Sequence, residues 1–118
     1  LPPAVKLFRE IDAATLLREE AVAIGLYLNE AVSNACKYAF PNDRSGTIAV
    51  FFHVRDGGWR FTIEDDGVGD AAISHPGGGL GSQLLTAFAA QASATHHGGP
   101  VLNGYRSEMR KVLETEVA

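Results

Sequence analysis

The 118 residues predict an α+β fold, a two-layer sandwich in which helices cover one face of a mixed, mostly antiparallel sheet. Two observations carry that expectation. Apolar and polar residues alternate near both ends of the chain and in a central hairpin, as half-buried strands require. Two segments between these strands repeat their apolar residues at helical spacing, and glycine-rich stretches separate the elements.

The elements follow in order. Val5, Leu7, Arg9 and Ile11 alternate with Lys6, Phe8 and Glu10, which predicts a strand over 4–11. From Leu16 to Ala39 the spacing is helical, with Val22, Leu26, Val32, Ala35 and Ala39 assigned to the buried side. Pro41-Asn42-Asp43-Arg44-Ser45-Gly46 ends that helix in a loop. Ile48, Val50, Phe52 and Val54 then alternate with Thr47, Ala49, Phe51 and His53. Asp56-Gly57-Gly58 turns the chain, and Trp59, Phe61 and Ile63 alternate on the return, giving a hairpin. A second helix is expected over Leu80–Ala92, burying Leu80, Leu84, Ala87 and Phe88. His96 to Gly104 reads as loop, and Tyr105 to Leu113 as a closing strand.

Composition bounds the function. A chain this long forms one ordinary core, so 1–118 is expected to be a single domain. With 46% hydrophobic and 20% charged residues it reads as globular, and a net charge of -4 argues against nucleic acid as a partner. The single Cys36 makes no intrachain disulfide, and neither a bilayer-length apolar run nor a signal peptide is visible, so a cytoplasmic location without membrane insertion is expected. The chain begins Leu1-Pro2-Pro3, which suggests a piece of a longer protein.

Three motifs carry chemistry. On the first helix, Glu30, Asn34, Lys37 and Tyr38 are spaced to share a face. Asn34 and Glu30 offer the hard oxygens that Mg²⁺ prefers, and Lys37 offers a charge for a phosphate; a solvated polar face would read the same way. The hairpin ends in Glu64-Asp65-Asp66-Gly67-Val68-Gly69. A carboxylate there can accept from a buried amino donor, and glycines let backbone approach a ligand; an acidic turn is the plainer alternative. Gly77-Gly78-Gly79-Leu80-Gly81-Ser82-Gln83 opens the second helix, where free N–H groups and the helix dipole suit an anion. No GKS or GKT follows, so this is not a P-loop, and it opens no dinucleotide-type βαβ unit. His75, His96-His97 and Cys36 read as surface loop residues and a small core residue, not as ligands or a reactive thiol.

In this order the three motifs resemble the N, G1 and G2 boxes of the GHKL ATPase superfamily, across residues 4–113. Glu30-Ala31-Val32-Ser33-Asn34-Ala35-Cys36-Lys37-Tyr38-Ala39 is similar to the N box, Asp65-Asp66-Gly67-Val68-Gly69 fits DxGxG, and Gly79-Leu80-Gly81-Ser82-Gln83-Leu84-Leu85 resembles the GLG segment of bacterial kinases. The resemblance implies a Bergerat-type fold and the Mg-ATP-binding catalytic domain of a two-component sensor histidine kinase. It further implies that Asn34 ligates Mg²⁺ with Glu30 beside it, Glu30 positioning a metal-bound water or acting as a base. Lys37 would face the phosphates and Tyr38 the base or ribose. Asp65 would accept from the adenine amino group, Gly67 and Gly69 would shape the pocket, and Gly79, Leu80 and Gly81 would cradle the phosphates. The implied partners are a histidine phospho-acceptor and dimerisation domain, without which the chain is inactive, and a downstream response regulator.

Only Asp70 to Pro76 separate the G1 and G2 glycines, and no phenylalanine-bearing box is present, which resembles the HWE-related branch. Tyr38 stands where that branch usually has histidine, Trp59 lacks the W-x-E pattern, and the usual Gly-Thr before the last strand is missing. An anti-sigma-type serine kinase or switch, or a degenerate docking module, are the alternatives.

Overall fold

The computed structural model describes residues 1–68 and 79–112, with side chains described throughout except at 79–81. Among the described residues five strands and two α-helices follow one another: β1 (Val5–Ile11), α1 (Arg18–Tyr38), β2 (Gly46–Arg55), β3 (Gly58–Asp65), α2 (Gly79–Gln91), β4 (Thr95–Val101) and β5 (Gly104–Lys111), with a single 3-10 turn at Pro41–Asp43. The sheet order is β1-β2-β3-β5-β4. Only β1 and β2 run parallel, because α1 carries the chain back between them; every other neighbouring pair is antiparallel. The expected α+β sandwich is the observed one.

Register puts one set of side chains on the helix side. Val50 pairs with Ile63 and Phe52 with Phe61 across β2 and β3, and Phe61 continues to Met109 on β5. All five are buried, together with Ile48, Trp59, Leu85 and Ala89. The β2–β3 turn is tight, with Asp56 and Gly57 at φ 51 and 79, the left-handed values that a two-residue hairpin loop needs. The opposite sheet face bears charge instead: Arg106 pairs with Glu64 at 3.0 Å, and Glu108 lies between Arg60 and Arg110.

The sheet side of α1 differs from the one hydropathy suggests. Val22 and Leu26 are exposed, and Glu20, Ala23, Tyr27, Ala31 and Ala35 are buried. Three alanines let the helix axis lie close to the sheet, and the two polar members are bonded, so neither burial is unfavourable. Glu20, in the first turn of α1, accepts from the Leu17 backbone N–H at 2.8 Å, from Trp59 Nε1 at 3.1 Å and from Lys111 Nζ at 2.8 Å. Its carboxyl is held below the usual glutamate value, chiefly by Lys111 and then by the Leu17 N–H. One carboxylate thus ties the start of α1 to β3 and β5. Tyr27, fully buried, shares a 2.7 Å hydrogen bond with His96 Nδ1 on β4.

Two further expectations are corrected. Of the stretch read as loop, His96 to Gly104, residues 96–101 belong to edge strand β4, which has a complete antiparallel register against β5. Its Gly98-Gly99-Pro100 hides any alternation, and an edge strand tolerates proline because one side of its backbone needs no partner. His96 is accordingly a half-buried strand residue bonded to Tyr27, and burial lowers its pKa. On α2 the buried residues are Leu85 and Ala89, with Ala92 just beyond; Leu84 and Phe88 are half-buried and Ala87 exposed.

Candidate functional site

The site is assembled where β3 ends against the last turn of α1. Helix α1 closes with the Ala39 N–H donating to Ala35 O at 2.9 Å, and Phe40 then turns into the buried layer. Beyond β3, the Val68 N–H donates to Ala39 O at 2.9 Å. Gly67 lies so close to that helix end that a Cβ would stand 2.2 Å from Ala39 O, so only glycine fits. The first glycine of the G1 motif therefore serves packing: it seats the β3 turn directly on the terminus of α1, next to the turn bearing Asn34 and Tyr38.

Asp65 and Asp66, adjacent in sequence, do different work. Asp66 is exposed and staples the turn to β2, accepting from the Thr47 N–H at 2.7 Å while its own N–H donates to Thr47 O at 3.2 Å. Asp65 is buried, and its Oδ1 accepts from the Gly67 N–H at 2.9 Å. Burial pushes the Asp65 carboxyl up, against the backbone N–H groups of Gly67 and Tyr105, which favour the charged form. Gly104, at φ 145, lets β5 approach so closely that a Cβ would collide with Asp65 O. An ionised carboxylate accepts about four hydrogen bonds. Asp65 therefore keeps capacity for another N–H donor, in surroundings dry enough to give that bond weight.

The helix motif is differently placed. Glu30 and Asn34 are half-buried on α1, and Lys37 is exposed. Among the described residues, no hydrogen bond or ion pair engages the side chains of Glu30, Asn34 or Lys37. A half-buried amide and carboxylate one turn apart, both without side-chain partners among the described residues, are a donor set of hard oxygens that fits Mg²⁺. Tyr38 is half-buried on the same turn. The backbone of Gly79, Leu80 and Gly81 forms the first turn of α2, as the sequence anticipates. Gly69 and the spacer 70–78, with His75, lie outside the described residues.

A cavity of about 430 Å³ lies beside Asp65, lined in part by Ala49, Glu64, Asn103 and Arg106. Ala49, Glu64 and Arg106 align across β2, β3 and β5 on the charged face without helices, opposite the motif residues of α1, so this cavity is not where the three motifs meet. Sequence reading passed over Glu20 and Tyr27. The spacing of Leu17 to Glu20 at a helix start was the available signal for Glu20; Tyr27 carried none.

This architecture, one helical layer on a five-stranded mixed sheet, is that of the ATPase domains of histidine kinases. The solved histidine kinase domain of the Erythrobacter litoralis EL346 blue-light-activated kinase superposes with a TM-score of 0.76 at 25% identity, covering 92% of this chain and 51% of that one. The longer EL346 structure gives 0.78 at 28% identity, covering 91% of this chain and 35% of that one. Acinetobacter baumannii AdeS shares the fold at a TM-score of 0.69 and 15% identity, covering 95% of this chain and 56% of that one. In sequence, Blue-light-activated histidine kinase 2 of Erythrobacter litoralis is 33% identical over 108 residues, 85% of this chain and 31% of the relative, so the chain spans about a third of that protein. Residues 1–102 match the model of the histidine kinase-like ATPase domain, and the chain belongs to that family. No helix among the described residues is long and apolar enough to cross a membrane.

Proposed function

We propose that this chain is the Mg-ATP-binding catalytic domain of a two-component sensor histidine kinase, presenting the γ-phosphate to a histidine on a separate dimerisation domain. The observation that carries the reading is the contrast at the β3–α1 junction. Asp65 is buried with acceptor capacity to spare, while the side chains of Glu30, Asn34 and Lys37, within the last three turns of α1, have no partners among the described residues.

In this reading Asp65 accepts the adenine amino hydrogens, so the base is selected by an acceptor that a 6-keto purine cannot satisfy. Gly67 shapes the base pocket indirectly, by seating the β3 turn on the end of α1, Gly69 would line it, and Tyr38 packs against base or ribose. Lys37 faces the phosphates as a point charge, and the N–H groups of Gly79, Leu80 and Gly81 receive them at the start of α2, where the dipole favours an anion. Asn34 and Glu30 would hold Mg²⁺, which supplies charge neutralisation on the phosphate oxygens. Catalysis then consists of positioning and electrostatics, with the attacking nucleophile on another domain and a response regulator downstream.

The test is phosphotransfer. The isolated chain should bind nucleotide yet acquire no acid-labile label from γ-labelled ATP. Mixed with a dimerisation domain of its own full-length protein, it should label that domain's histidine. Label on serine of a partner would favour the anti-sigma-type reading, and acid-labile label on the isolated chain would refute the proposal.

A further inference from the structure

The two sheet edges are unlike. Edge strand β4 is short of side chains, with Gly98, Gly99 and Pro100. Edge strand β1 is seven residues long and carries large apolar groups on both faces: Leu7 is 55% exposed, Phe8 51% and Ile11 54%. A long edge with apolar side chains is a template for pairing unless proline, a bulge or repelling charge blunts it. No proline or bulge interrupts β1 between Val5 and Ile11, and its charges, Lys6, Arg9 and Glu10, are of both signs.

The backbone shows which groups are open. At the two ends of β1, Ala4 O accepts from Gly46 N–H at 3.3 Å, and Asp12 N–H donates to Phe52 O at 2.9 Å. The backbone groups of even-numbered residues therefore face β2, and those of odd-numbered residues face an edge that is free among the described residues: the amides of Leu7, Arg9 and Ile11 are open there, whereas the Val5 N–H donates to Pro2 O at 3.0 Å. The side chains are nearly self-complementary. Running a second β1 antiparallel with its centre on Phe8 sets Phe8 against Phe8, Lys6 against Glu10 twice, Val5 against Ile11 twice and Leu7 against Arg9 twice. All seven residues pair: Leu7 and Arg9 exchange open backbone bonds, Ile11 N–H can donate to Val5 O while the Val5 N–H stays with Pro2 O, and Lys6–Glu10 falls on the closer, non-hydrogen-bonded positions. Shifting the centre to Leu7 or Arg9 leaves five pairs and sets Lys6 or Glu10 against Phe8. Parallel pairing would set Lys6 on Lys6 and Glu10 on Glu10. On the outer face Phe8 already meets Phe51, their centroids 5.9 Å apart, so a two-fold at Phe8 joins two aromatic pairs into a cluster of four.

We infer that β1 is a self-association edge, at which two copies of this chain pair antiparallel about a two-fold axis at Phe8 to give one continuous ten-stranded sheet. The contact is isologous, so it closes at two copies. It is independent of the nucleotide reading, since none of the motif residues lies on β1.

A charge swap tests it on the 118-residue chain. Sedimentation velocity over a wide concentration range should show a monomer–dimer equilibrium. Lys6→Glu sets two carboxylates against each other at both ends of the pairing, since the new side chain meets Glu10 of the second copy, and should weaken the dimer about tenfold or more. Glu10→Lys should do the same, and the double swap Lys6→Glu with Glu10→Lys should restore the affinity of the parent chain. In a Cys36→Ser background, Phe8→Cys should give a disulfide-linked dimer under mild oxidation, whereas Leu7→Cys and Arg9→Cys should not. The β1 side chains are exposed, and the Glu10–His53 contact at 2.8 Å is a surface one, so each β1 variant should keep the circular dichroism of its own background and, at concentrations where the chain is monomeric, its melting temperature within about 2 °C. A chain that stays monomeric throughout overturns the inference, as does a dimer that ignores the swap or cross-links through position 7 or 9 instead.

Discussion

The two ends of α1 are built from similar residues and treated in opposite ways. At the N-terminal end the polar groups are saturated: Glu20 accepts three hydrogen bonds from three segments, and Tyr27 is bonded to His96 in the core. Toward the C-terminal end, the side chains of Glu30, Asn34 and Lys37 have no partners among the described residues, although two of them are half-buried. A saturated buried polar group rigidifies the fold, whereas a half-buried group left open costs stability and is retained where something else binds it. The difference divides the helix into a structural half, whose polar groups are bonded, and a half that, under the proposed function, faces the nucleotide. Mutations in the first should move stability without moving affinity, and mutations in the second should do the reverse.

The largest separation is expected at Glu20. Glu20→Ala strands Lys111 and the Trp59 N–H in a buried site and should cost about 3 kcal/mol of folding stability, enough to lower the melting temperature by about 10 °C. Below the transition, nucleotide affinity should be unchanged. Calorimetric melting and a fluorescent ADP titration on the same sample check both halves. A loss of affinity larger than the unfolded fraction explains would mean that the structural half reaches the site.

Asp65 comes next, and it sharpens the comparison because it is buried yet, under the proposed function, meets the adenine. Asp65→Ala should weaken nucleotide binding about ten- to a hundredfold, the worth of a hydrogen bond to a charged group, with or without Mg²⁺. The pH dependence has a definite sign. Burial raises the folded carboxyl, so acceptor strength is present at neutral pH and lost as pH falls through that raised value. Affinity should therefore begin to fall at a higher pH than an ordinary aspartate would impose. Asp65→Asn should bind weakly and show a flat profile over the same interval, and a parallel decline in both proteins would assign the titration to another group.

Asn34→Ala should give a smaller and conditional effect. Binding of ADP without metal should change little, while the increment on adding Mg²⁺ should shrink, because the ion loses a protein oxygen. Folding stability should hold or rise slightly, since an open half-buried amide is replaced by a good helix former. Identical losses in the presence and absence of metal would break the assignment of Asn34 to the ion.

What could be read in the sequence follows the same division. The hairpin, β1 and the helical character of α1 were legible because alternation and helical spacing are local signals. Gly67 was legible as a glycine, but its reason was not: the sequence suggests approach to a ligand, and the structure shows the carbonyl of Ala39 filling that space. The structural half of α1 was misread. Hydropathy assigned Val22 and Leu26 to the core, where the fold places Glu20 and Tyr27. The partners that make those burials favourable, Lys111 and His96, lie 91 and 69 residues away, beyond any periodic pattern. Strand β4 was missed for a related reason, since its identity comes from register against β5 and not from its own side chains.

The smallest effect expected lies at the other polar pair of the structural half. Tyr27→Phe removes the hydroxyl that meets His96 Nδ1 and should cost about 1 kcal/mol. His96 adds a pH signature. Burial, and then the charge of His97, hold its folded pKa below the ordinary histidine value. The neutral ring is therefore the form the fold favours, and its contribution is fully present above the unfolded pKa of about 6.5. As pH falls below that value the unfolded chain takes up the proton first, and stability declines until the folded ring protonates as well. The hydrogen bond acts in the same direction, because a ring protonated on both nitrogens cannot accept from Tyr27. Denaturant unfolding of the parent chain and of His96→Gln between neutral and mildly acid pH isolates this term as the difference between two curves. The parent should lose more stability on acidification than the variant, with unchanged nucleotide affinity at neutral pH. Parallel curves would show that His96 is equally ready to protonate in both states, and that its bond to Tyr27 does not hold it neutral.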